Sequence, residues 1–452
     1  MTIVCKFGGT SVATAAKILK IRDFVASNPD RRYVVVSAPG KRFPGDEKIT
    51  DMLRRCIRAR SAGADWLVIF GRIIKRYDEI ISKLDINLDL SAEYEKIAGV
   101  IETGEPTQHD YIESRGEYLM GLVMARVLGY EFVDAAELIK FDRYGYNEDF
   151  TQDLVASQLI GVPQAVVPGY YGAMLDGRIK IFDRGGSDIT GAIIARGVSA
   201  KLYENCTDVA GVLACDPRIV PEAHTVLEMT HKEARQFAYM GATVLHPDAL
   251  LPVWRANIPT RVLNPFDSDA KSTLISDSVH HDEGSIVGVA GRKGFFCISI
   301  TESSMNPDIG FAQSILQIIA DKKVAIEHMP PGDLDSLSFI IDGRYRELAR
   351  PLAAAMQKKY RDAEIEIKYD IALLAIVGEG MAGAIGTMAR LTKSVAAKGI
   401  NLEIANQGAI QRVILLGVKD EDADNAIRAI YHDCIAPVAE SSFARRIARV
   451  SG

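Results

Sequence analysis

The segment Lys6-Phe7-Gly8-Gly9-Thr10-Ser11 decides how the first half of the chain is interpreted. It follows a short β-branched run at residues 2–6 and precedes a helical pattern, which predicts a turn from a strand into a helix. Two adjacent glycines let backbone N–H groups approach an anion, and Thr10 or Ser11 can cap a helix whose positive end favours phosphate. Lys6 adds a full positive charge for a phosphoryl group in transfer. We interpret the segment as a phosphate site, with a plain strand–turn–helix corner as the alternative.

A second glycine loop has the sequence Phe182-Asp183-Arg184-Gly185-Gly186-Ser187-Asp188 and also lies between a predicted strand and a predicted helix. The carboxyl ends of parallel strands meet at one edge of a sheet, so the two loops are expected to form one site. Arg184 is placed to hold a carboxylate with its planar guanidinium. Asp188 can orient Lys6 or hold a magnesium-bound water, unless it only caps its helix.

Strand-like runs alternate with helical patterns through residues 1–265, where residues 49–129 are mostly helical. Apolar strands between helices are typical of a buried sheet, so we predict an α/β fold with a largely parallel sheet sandwiched by helices. A polar linker is expected at 266–290. The predicted strands lie at 2–6, 33–37, 165–168, 179–182, 201–206 and 260–263.

The remainder of the chain repeats itself with a shift of 76 residues, which places Met305 on Met381. Each copy has the order strand, helix, strand, strand, helix, strand, which is that of a ferredoxin-like βαββαβ domain. We predict one copy at 291–370 and another at 371–452. The second copy is expected to close with a strand after Cys434, or to return that strand to the first copy.

One motif in the second copy offers a different class of site. The sequence Gly378-Glu379-Gly380-Met381-Ala382-Gly383 matches the dinucleotide fingerprint G-x-G-x-x-G. However, the next predicted strand leads into a hairpin rather than a crossover helix, and the aligned residues 302–307 contain no glycine. We therefore interpret this motif as a tight strand-to-helix turn.

Composition narrows the classes of partner. The chain has 53 basic and 59 acidic residues and a net charge of −6, which favours neither nucleic acid nor a membrane surface as a partner. Six scattered cysteines lack metal-binding spacing, so we expect a cytoplasmic protein with free thiols and no bound structural metal. A basic cluster at Arg54, Arg55, Arg58 and Arg60 has helical spacing and is interpreted as a solvated face.

Together these motifs resemble the aspartokinases of the amino-acid kinase family. The two glycine loops, Ser114-Arg115-Gly116-Glu117, Gly241-Ala242-Thr243-Val244-Leu245-His246-Pro247 and two ACT-like repeats occur in the family's order over nearly the whole chain. The resemblance implies transfer of the γ-phosphoryl group of Mg²⁺-bound ATP to the side-chain carboxylate of L-aspartate. The implied product, 4-phosphoaspartate, begins the pathway to lysine, threonine and methionine. A homodimer or larger assembly through the ACT domains is also implied.

The resemblance further implies roles for single residues, with Glu117 on the substrate ammonium and Arg184 on a substrate carboxylate. Leu213 and Thr243 stand where many relatives have Tyr and Lys. The implied catalytic residues are Lys6 and Asp188; the implied substrate contacts are Ser37, Thr50, Glu117, Arg184 and Ser187; and the implied ATP contacts are Lys6, Gly8, Gly9, Thr207, Asp208, Leu213, Arg218 and Thr243.

Regulation by an amino acid is implied by the same resemblance. Lysine-sensing aspartokinases carry a Met followed by a Gly-Phe pair at a helix start in the first ACT repeat, which here are Met305 and Gly310-Phe311. Lysine is the first expected effector and threonine the second. The expected effector contacts are Met305, Asp308, Gly310, Phe311, Glu327 and Ser338.

Two alternatives stay open. The chain could phosphorylate another acidic amino acid, such as glutamate or acetylglutamate, although Glu117 and the repeats disfavour this. It could also be a non-catalytic amino-acid sensor, a hypothesis that Leu213 and Thr243 motivate. The presence of Lys6, Glu117, Arg184 and Asp188 opposes that second alternative.

Overall fold

The computed structural model describes residues 1–183, 185–241, 247–303, 305–330, 332 and 334–436. The chain separates into two compact units. The first comprises Met1–Val212, Thr225–Ala238 and Thr243–Val279, and the second comprises Leu213–His224, Tyr239–Ala242 and His280–Gly452. Among the described helices, none combines the length and apolar character that crossing a membrane requires.

Strands and helices alternate through the first 279 residues. They are β1 (Ile3–Phe7), α1 (Ala15–Ala26), β2 (Arg31–Val36), α2 (Ile49–Ser61), α3 (Leu67–Leu84), α4 (Ser91–Thr103), α5 (His109–Leu128), β3 (Glu131–Phe132), α6 (Ala135–Leu138), β4 (Lys140–Asp142), β5 (Gly145–Tyr146), α7 (Glu148–Leu159), β6 (Ala165–Pro168), β7 (Tyr171–Met174), β8 (Ile179–Ile181), α8 (Gly186–Gly197), β9 (Leu202–Cys206), β10 (Val212–Leu213), β11 (Thr225–Val226), β12 (Glu228–Met229), α9 (His231–Tyr239), α10 (Leu250–Arg255), β13 (Thr260–Leu263) and β14 (Thr273–Ile275).

The first unit is built on an eight-stranded sheet of order β12-β14-β13-β9-β1-β2-β6-β3. Neighbouring strands run parallel except β13 and β14, which are antiparallel. Helices cover both faces, so apolar side chains are buried on both sides of the central strands. Cys5 and Phe7 pack in the core with α1 to α5, whereas Val4 packs in the core that includes α8. The predicted α/β fold with a largely parallel sheet is confirmed.

Two parts of the first unit differ from the sequence prediction. Strand β8 does not join the main sheet but pairs in a smaller sheet of order β5-β4-β7-β8. Residues 266–290, predicted as a linker, contain β14, which pairs with β13 in the main sheet. Its polar residue Thr273 is buried because its hydroxyl accepts from the N–H of Val212 at 2.8 Å and donates to the carbonyl of Val226 at 2.6 Å. The polar composition of this segment therefore led to the prediction of a linker where the structure has strand β14.

The second unit contains a six-stranded antiparallel sheet of order β16-β17-β15-β18-β20-β19. Its elements are β15 (Gly288–Thr301), α11 (Phe311–Asp321), β16 (Ile326–His328), β17 (Ser336–Asp342), α12 (Ala349–Lys359), β18 (Glu364–Val377), α13 (Thr387–Ala396), β19 (Ile404–Gln407), β20 (Val413–Lys419) and α14 (Ala423–Ile430).

The long strands β15 and β18 each belong to both repeats, which we call the first half and the second half. The first half uses the end of β15 and the start of β18, which pair with each other from Thr301 and Glu364 onward. The second half uses the end of β18, and the start of β15 fills the place beside it, where Gly288 pairs with Val377. That place had been predicted for a strand after Cys434. Cys434 instead lies in a π-helical turn, Tyr431–Ile435, and residues 437–452 lie outside the described part.

The glycine motif of the second half packs against backbone, as expected for a tight turn. A Cβ atom on Gly378 would lie 2.7 Å from the carbonyl oxygen of Ser285, and one on Gly380 would lie 2.4 Å from that of Asp282. The next helix, α13, begins at Thr387 rather than directly after the motif. Gly378 and Gly380 are therefore required by close chain packing, whereas Gly383 has a left-handed conformation with φ of 79°.

Candidate active site

Lys6 is placed by the alternation of strand β1. Successive side chains of a strand point to opposite faces, so Lys6 shares the face of Val4, which packs with α8. In the sheet Lys6 pairs in register with Asn205 of β9. The Lys6 side chain is buried and its ammonium forms an ion pair with Asp188, in the first turn of α8. The amide of Asn205 donates to the same Asp188 oxygen at 3.2 Å. A buried cation is thus held by a carboxylate that a neighbouring strand orients.

The loop after β1 touches the loop after β2 through its second glycine. The N–H of Gly40 donates to the carbonyl of Gly9 at 2.8 Å, and a Cβ on Gly9 would lie 2.7 Å from the carbonyl oxygen of Ala38. In contrast, among the described residues a Cβ on Gly8 would meet only the Lys6 ammonium nitrogen, at 3.6 Å. Gly9 is needed for close packing of the loops, whereas Gly8 leaves space beside the lysine charge.

A buried hydroxyl lies in the same loop. The N–H of Ser11 donates to the carbonyl of Gly8 at 3.0 Å, which forms a tight turn. The Ser11 Oγ is fully buried and has no hydrogen-bond partner among the described residues. A donor left without a protein partner in a glycine loop is chemically suited to a phosphate oxygen.

Glu117 is the buried acid of the site. It lies within α5 and accepts a hydrogen bond from the N–H of Ala38, while its Oε2 has no partner among the described residues. Burial raises the pKa of the Glu117 carboxyl to about 8, although the Ala38 N–H and the charges of Arg115 and Arg54 favour its ionised form. A carboxyl that is costly to ionise by itself is suited to bind a cation that neutralises it.

Three further predicted substrate residues, Ser37, Thr50 and Ser187, follow strands at the carboxyl edge of the sheet or begin the next helix. The N–H of Ser37 donates to the carbonyl of Phe7 at 3.2 Å, which joins the ends of β2 and β1. Thr50 is half-buried in the first turn of α2. Ser187 is buried at the start of α8, where a Cβ on Gly169 would lie 2.7 Å from its hydroxyl oxygen. Ligands bind at such carboxyl edges in α/β sheets.

Comparison with known proteins agrees with this geometry. The profile of the Amino acid kinase family matches residues 1–264, and an ACT domain profile matches residues 374–433. Aspartokinase 3 of Bacillus subtilis (strain 168) is 31% identical over 453 residues, covering 96% of this chain and 99% of its own. The chain belongs to the aspartokinases.

Solved structures of aspartokinases have the same fold. The Clostridium acetobutylicum aspartate kinase, described as allosteric, is 38% identical with a TM-score of 0.88, over 96% of this chain and 100% of its own. Escherichia coli aspartokinase III has been solved with aspartate and ADP, at 23% identity and a TM-score of 0.79. It has also been solved with lysine and aspartate, at 24% identity and a TM-score of 0.74. Both E. coli comparisons cover 96% of this chain and 99% of the other.

The predicted ATP residues are divided between the two units. Thr207 follows β9, and its N–H donates to the carbonyl of Leu263 at 2.9 Å; its hydroxyl donates to Asp208 at 3.4 Å. Leu213 and Arg218 belong to the second unit, where Arg218 is exposed and paired with Asp216 at 2.6 Å. Arg184 and Thr243 lie outside the described residues, so their roles stay predictions.

The predicted effector residues lie in the first half of the second unit. Phe311 is buried in the hydrophobic core, where its ring centroid is 4.5 Å from that of Tyr360, and Met305 packs against the same core. Gly310 caps the start of α11 in a left-handed conformation with φ of 104°. The hydroxyl of Ser338 is hydrogen-bonded to that of Ser299 at 2.8 Å.

Both predicted ammonium ligands in that half already have partners. Asp308 accepts from the Tyr360 hydroxyl at 3.4 Å. Glu327 is 3.4 Å from Arg292 and accepts from the Tyr239 hydroxyl at 2.9 Å. A ligand ammonium would have to displace or join these groups, so effector binding here stays a prediction.

Sequence reasoning missed Asn205, which orients Asp188, and the cluster of Arg54, Glu113 and Tyr170 described below. Arg54 had been interpreted as part of a solvated face, but it donates to Glu113 at 2.7 Å. The helical spacing offered a signal, because Arg54 is four residues after Thr50 and Glu113 is four residues before Glu117.

Proposed function

We propose that the chain transfers the γ-phosphoryl group of ATP to the side-chain carboxylate of L-aspartate, giving 4-phospho-L-aspartate and ADP. The ion pair of Lys6 with Asp188, together with a buried acid at Glu117, carries this proposal. One end of the site offers a cation for phosphate and the other an acid for an ammonium. The membership in the aspartokinases and the E. coli complex with aspartate and ADP support the same substrates.

The chemistry requires no general base at the nucleophile. The aspartate side chain is already ionised at neutral pH. One of its oxygens forms a bond to the γ-phosphorus while the bond to the bridging oxygen of ADP breaks. The electron pair leaves with ADP. Lys6 stabilises the charge on the phosphoryl oxygens, and Asp188 with Asn205 keeps the ammonium in place.

Magnesium would accompany the nucleotide. The described residues contain no cluster of three or more His, Cys, Asp or Glu side chains arranged for a metal ion. Mg²⁺ usually binds through substrate phosphates, water and one or two carboxylates, and Asp188, the partner of Lys6, is a carboxylate at this site. Mg²⁺ would neutralise phosphate charge, which lowers the repulsion of an incoming carboxylate.

A hydroxylamine trap tests the proposed reaction. The protein, Mg²⁺-ATP and L-aspartate should yield aspartyl hydroxamate, and Lys6→Ala should lower kcat by about 10²-fold or more, as loss of one stabilising donor does elsewhere. The exposed Lys20→Ala on α1 is the matched control and should retain activity. Hydroxamate from glutamate or acetylglutamate but not from aspartate would contradict the substrate assignment. No transfer to any of the three acids would favour the sensor alternative.

Feedback regulation by lysine, or by threonine, is also proposed, and it rests on the ACT domain match and the lysine-bound E. coli structure. Titration calorimetry with each amino acid tests it, and no heat with either would contradict it.

A homodimer or larger assembly is proposed because Ile309 and Ile385, at equivalent positions of the two halves, are fully exposed. A monomeric mass in light scattering would contradict this. The six free cysteines support the proposed cytoplasmic location.

A further inference from the structure

Three side chains beside the active site form a closed hydrogen-bonded cluster. Arg54 donates to Glu113 at 2.7 Å and to the hydroxyl of Tyr170 at 3.1 Å, and that hydroxyl donates to Glu113 at 3.3 Å. Glu113 is largely buried and Tyr170 is buried, while Arg54 is partly exposed. The positive charge of Arg54 is therefore balanced chiefly by Glu113, while Asp51, also on α2, lies farther away at 3.9 Å from the guanidinium.

Arg54 and Glu113 lie on the same helix faces as two predicted substrate contacts. Arg54 lies one turn after Thr50 on α2, and Glu113 lies one turn before Glu117 on α5. Side chains four residues apart lie on the same side of a helix. The charge of Arg54 lowers the pKa of the Glu117 carboxyl, whose dominant perturbation is the raising effect of burial. Arg54 thus lies close enough to Glu117 to influence its charge, and Glu113 is the carboxylate to which Arg54 is hydrogen-bonded.

Tyr170 links this cluster to the second glycine loop. A Cβ on Gly186 would lie 2.8 Å from the Cα of Tyr170, and the N–H of Tyr170 donates to the hydroxyl of Thr190 at 3.2 Å. Its φ is 81°, a left-handed conformation that is uncommon for a residue with a large side chain. Such strain persists where the surroundings hold a residue in place, often at functional sites.

The other groups facing Glu117 differ from Arg54 in how they are held. Tyr77 of α3 donates to the carbonyl of Gly116 at 2.6 Å, and burial raises the pKa of its hydroxyl. Arg115 donates to the hydroxyl of Ser114 at 2.9 Å and lies over the ring of Tyr118 at 4.4 Å. Burial also raises the pKa of the Tyr170 hydroxyl, so both tyrosines remain neutral near pH 8. Of the two arginines, Arg54 is the one that donates a hydrogen bond to a neighbouring carboxylate, that of Glu113.

We propose that Arg54, Glu113 and Tyr170 are positioning residues that set the ionisation of Glu117 and hold it opposite the second glycine loop, ready for a substrate ammonium. In this proposal Arg54 favours the charged form of Glu117, and Glu113 opposes it by neutralising Arg54. Tyr170 fixes the geometry of both. The inference rests on the proposed function, because it assigns the ammonium of aspartate to Glu117.

Opposite charge changes test the proposal. KM for aspartate and kcat are measured from pH 6 to 9.5 for the full-length protein and for Arg54→Gln, Glu113→Gln and Tyr170→Phe. KM for aspartate should decrease as Glu117 ionises. The midpoint pH of this decrease should be higher in Arg54→Gln and lower in Glu113→Gln, each by roughly half a pH unit or more for charges close to Glu117. In Tyr170→Phe this pH should stay unchanged while KM rises several-fold. In all three variants kcat should change by less than about threefold, because none touches the phosphoryl group.

Arg58→Gln is the matched control, since it removes the same charge one turn further along α2 from an exposed position. It should leave the pH dependence unchanged. Thermal unfolding identifies any variant that fails to fold, and Glu113→Gln alone still tests the direction of the shift. Shifts in the same direction for Arg54→Gln and Glu113→Gln, or no shift in either, would overturn the inference. An inactive parent protein would instead overturn the proposed function.

Discussion

Glu117 is a buried carboxyl group whose ionisation becomes favourable when a cation binds beside it. Its pKa of about 8 leaves it mostly protonated at pH 7 in the absence of a ligand. A bound ammonium favours the ionised form and lowers the pKa. With the ammonium of aspartate on Glu117, as proposed above, binding at pH 7 would be coupled to loss of a proton from the protein.

We expect aspartate binding to release close to one proton at pH 7 and almost none at pH 9, because Glu117 is already ionised at the higher pH. Affinity should accordingly increase with pH until the carboxyl is ionised near pH 8. Calorimetry in buffers of different ionisation enthalpy measures the released proton. Glu117→Gln is the control and should show weak binding without release. Equal proton release at pH 7 and pH 9 would contradict the assignment.

Side chains in sequence motifs were easier to predict than side chains in helices. Lys6 and Asp188 lie in glycine loops whose sequence already predicts an anion site, and the structure brings the two together. Arg54 and Glu113 lie within helices rich in charged residues, where most such side chains are solvated. Their pairing depends on how α2 packs on α5, which a single sequence does not specify.

The loop after β1 and the loop after β2 contact each other at Gly9, where a side chain would not fit. Gly9→Ala would place a Cβ 2.7 Å from the carbonyl oxygen of Ala38, which is backbone and has little room to move. We expect loss of most phosphoryl transfer and destabilisation of about 1–3 kcal/mol, the usual range for overpacking. Activity and thermal unfolding check this.

The neighbouring glycine provides the comparison. Gly8→Ala places its Cβ 3.6 Å from the Lys6 ammonium nitrogen, an ordinary contact. It should therefore unfold at nearly the temperature of the parent protein, although its methyl group can affect nucleotide binding. Equal destabilisation by the two substitutions would contradict a specific role for the contact between Gly9 and Ala38.

Strands with continuous apolar side chains were predictable, and shorter or polar ones were not. The runs that form β1, β2, β6, β9 and β13 were all identified as strands from sequence. In contrast, β14 is three residues long and includes the buried Thr273, whose hydroxyl satisfies two backbone groups. Such short elements form because neighbouring strands pair with them, which local sequence does not reveal.

The shared strands of the second unit make its halves dependent on each other. In β18, residues 364–370 alternate between exposed and half-buried, and residues 371–377 are all buried. The two parts nevertheless form one strand that pairs with β15, with register shifts between Arg292 and Cys297. The division into two repeats was predicted, and an exchange was offered as an alternative, but for the strand after Cys434 rather than for the start of β15. Repeats in sequence do not specify which copy supplies the strand at a shared edge.

A core substitution in one half should therefore loosen both. Leu352→Ala in α12 removes a fully buried side chain from the first half and should cost about 2–5 kcal/mol. Hydrogen exchange should then accelerate in β17 and also in residues 371–377 and their partner β20, because β18 joins the halves. The exposed substitution Arg350→Ala, on the same helix, is the control. Acceleration confined to the first half would show that the halves open separately.

The pairing of Arg292 with Leu373 suggests an evolutionary route to the two-repeat unit. The two residues are opposite each other on neighbouring strands of the second half, and nearly all of the chain between them belongs to the first half. The whole first half is thus a connection between two adjacent strands, as a hairpin turn would be. Domain insertion is tolerated where the two joined ends lie close together. An ancestral chain with a single such domain could acquire the other by opening one hairpin, with every original strand kept in place.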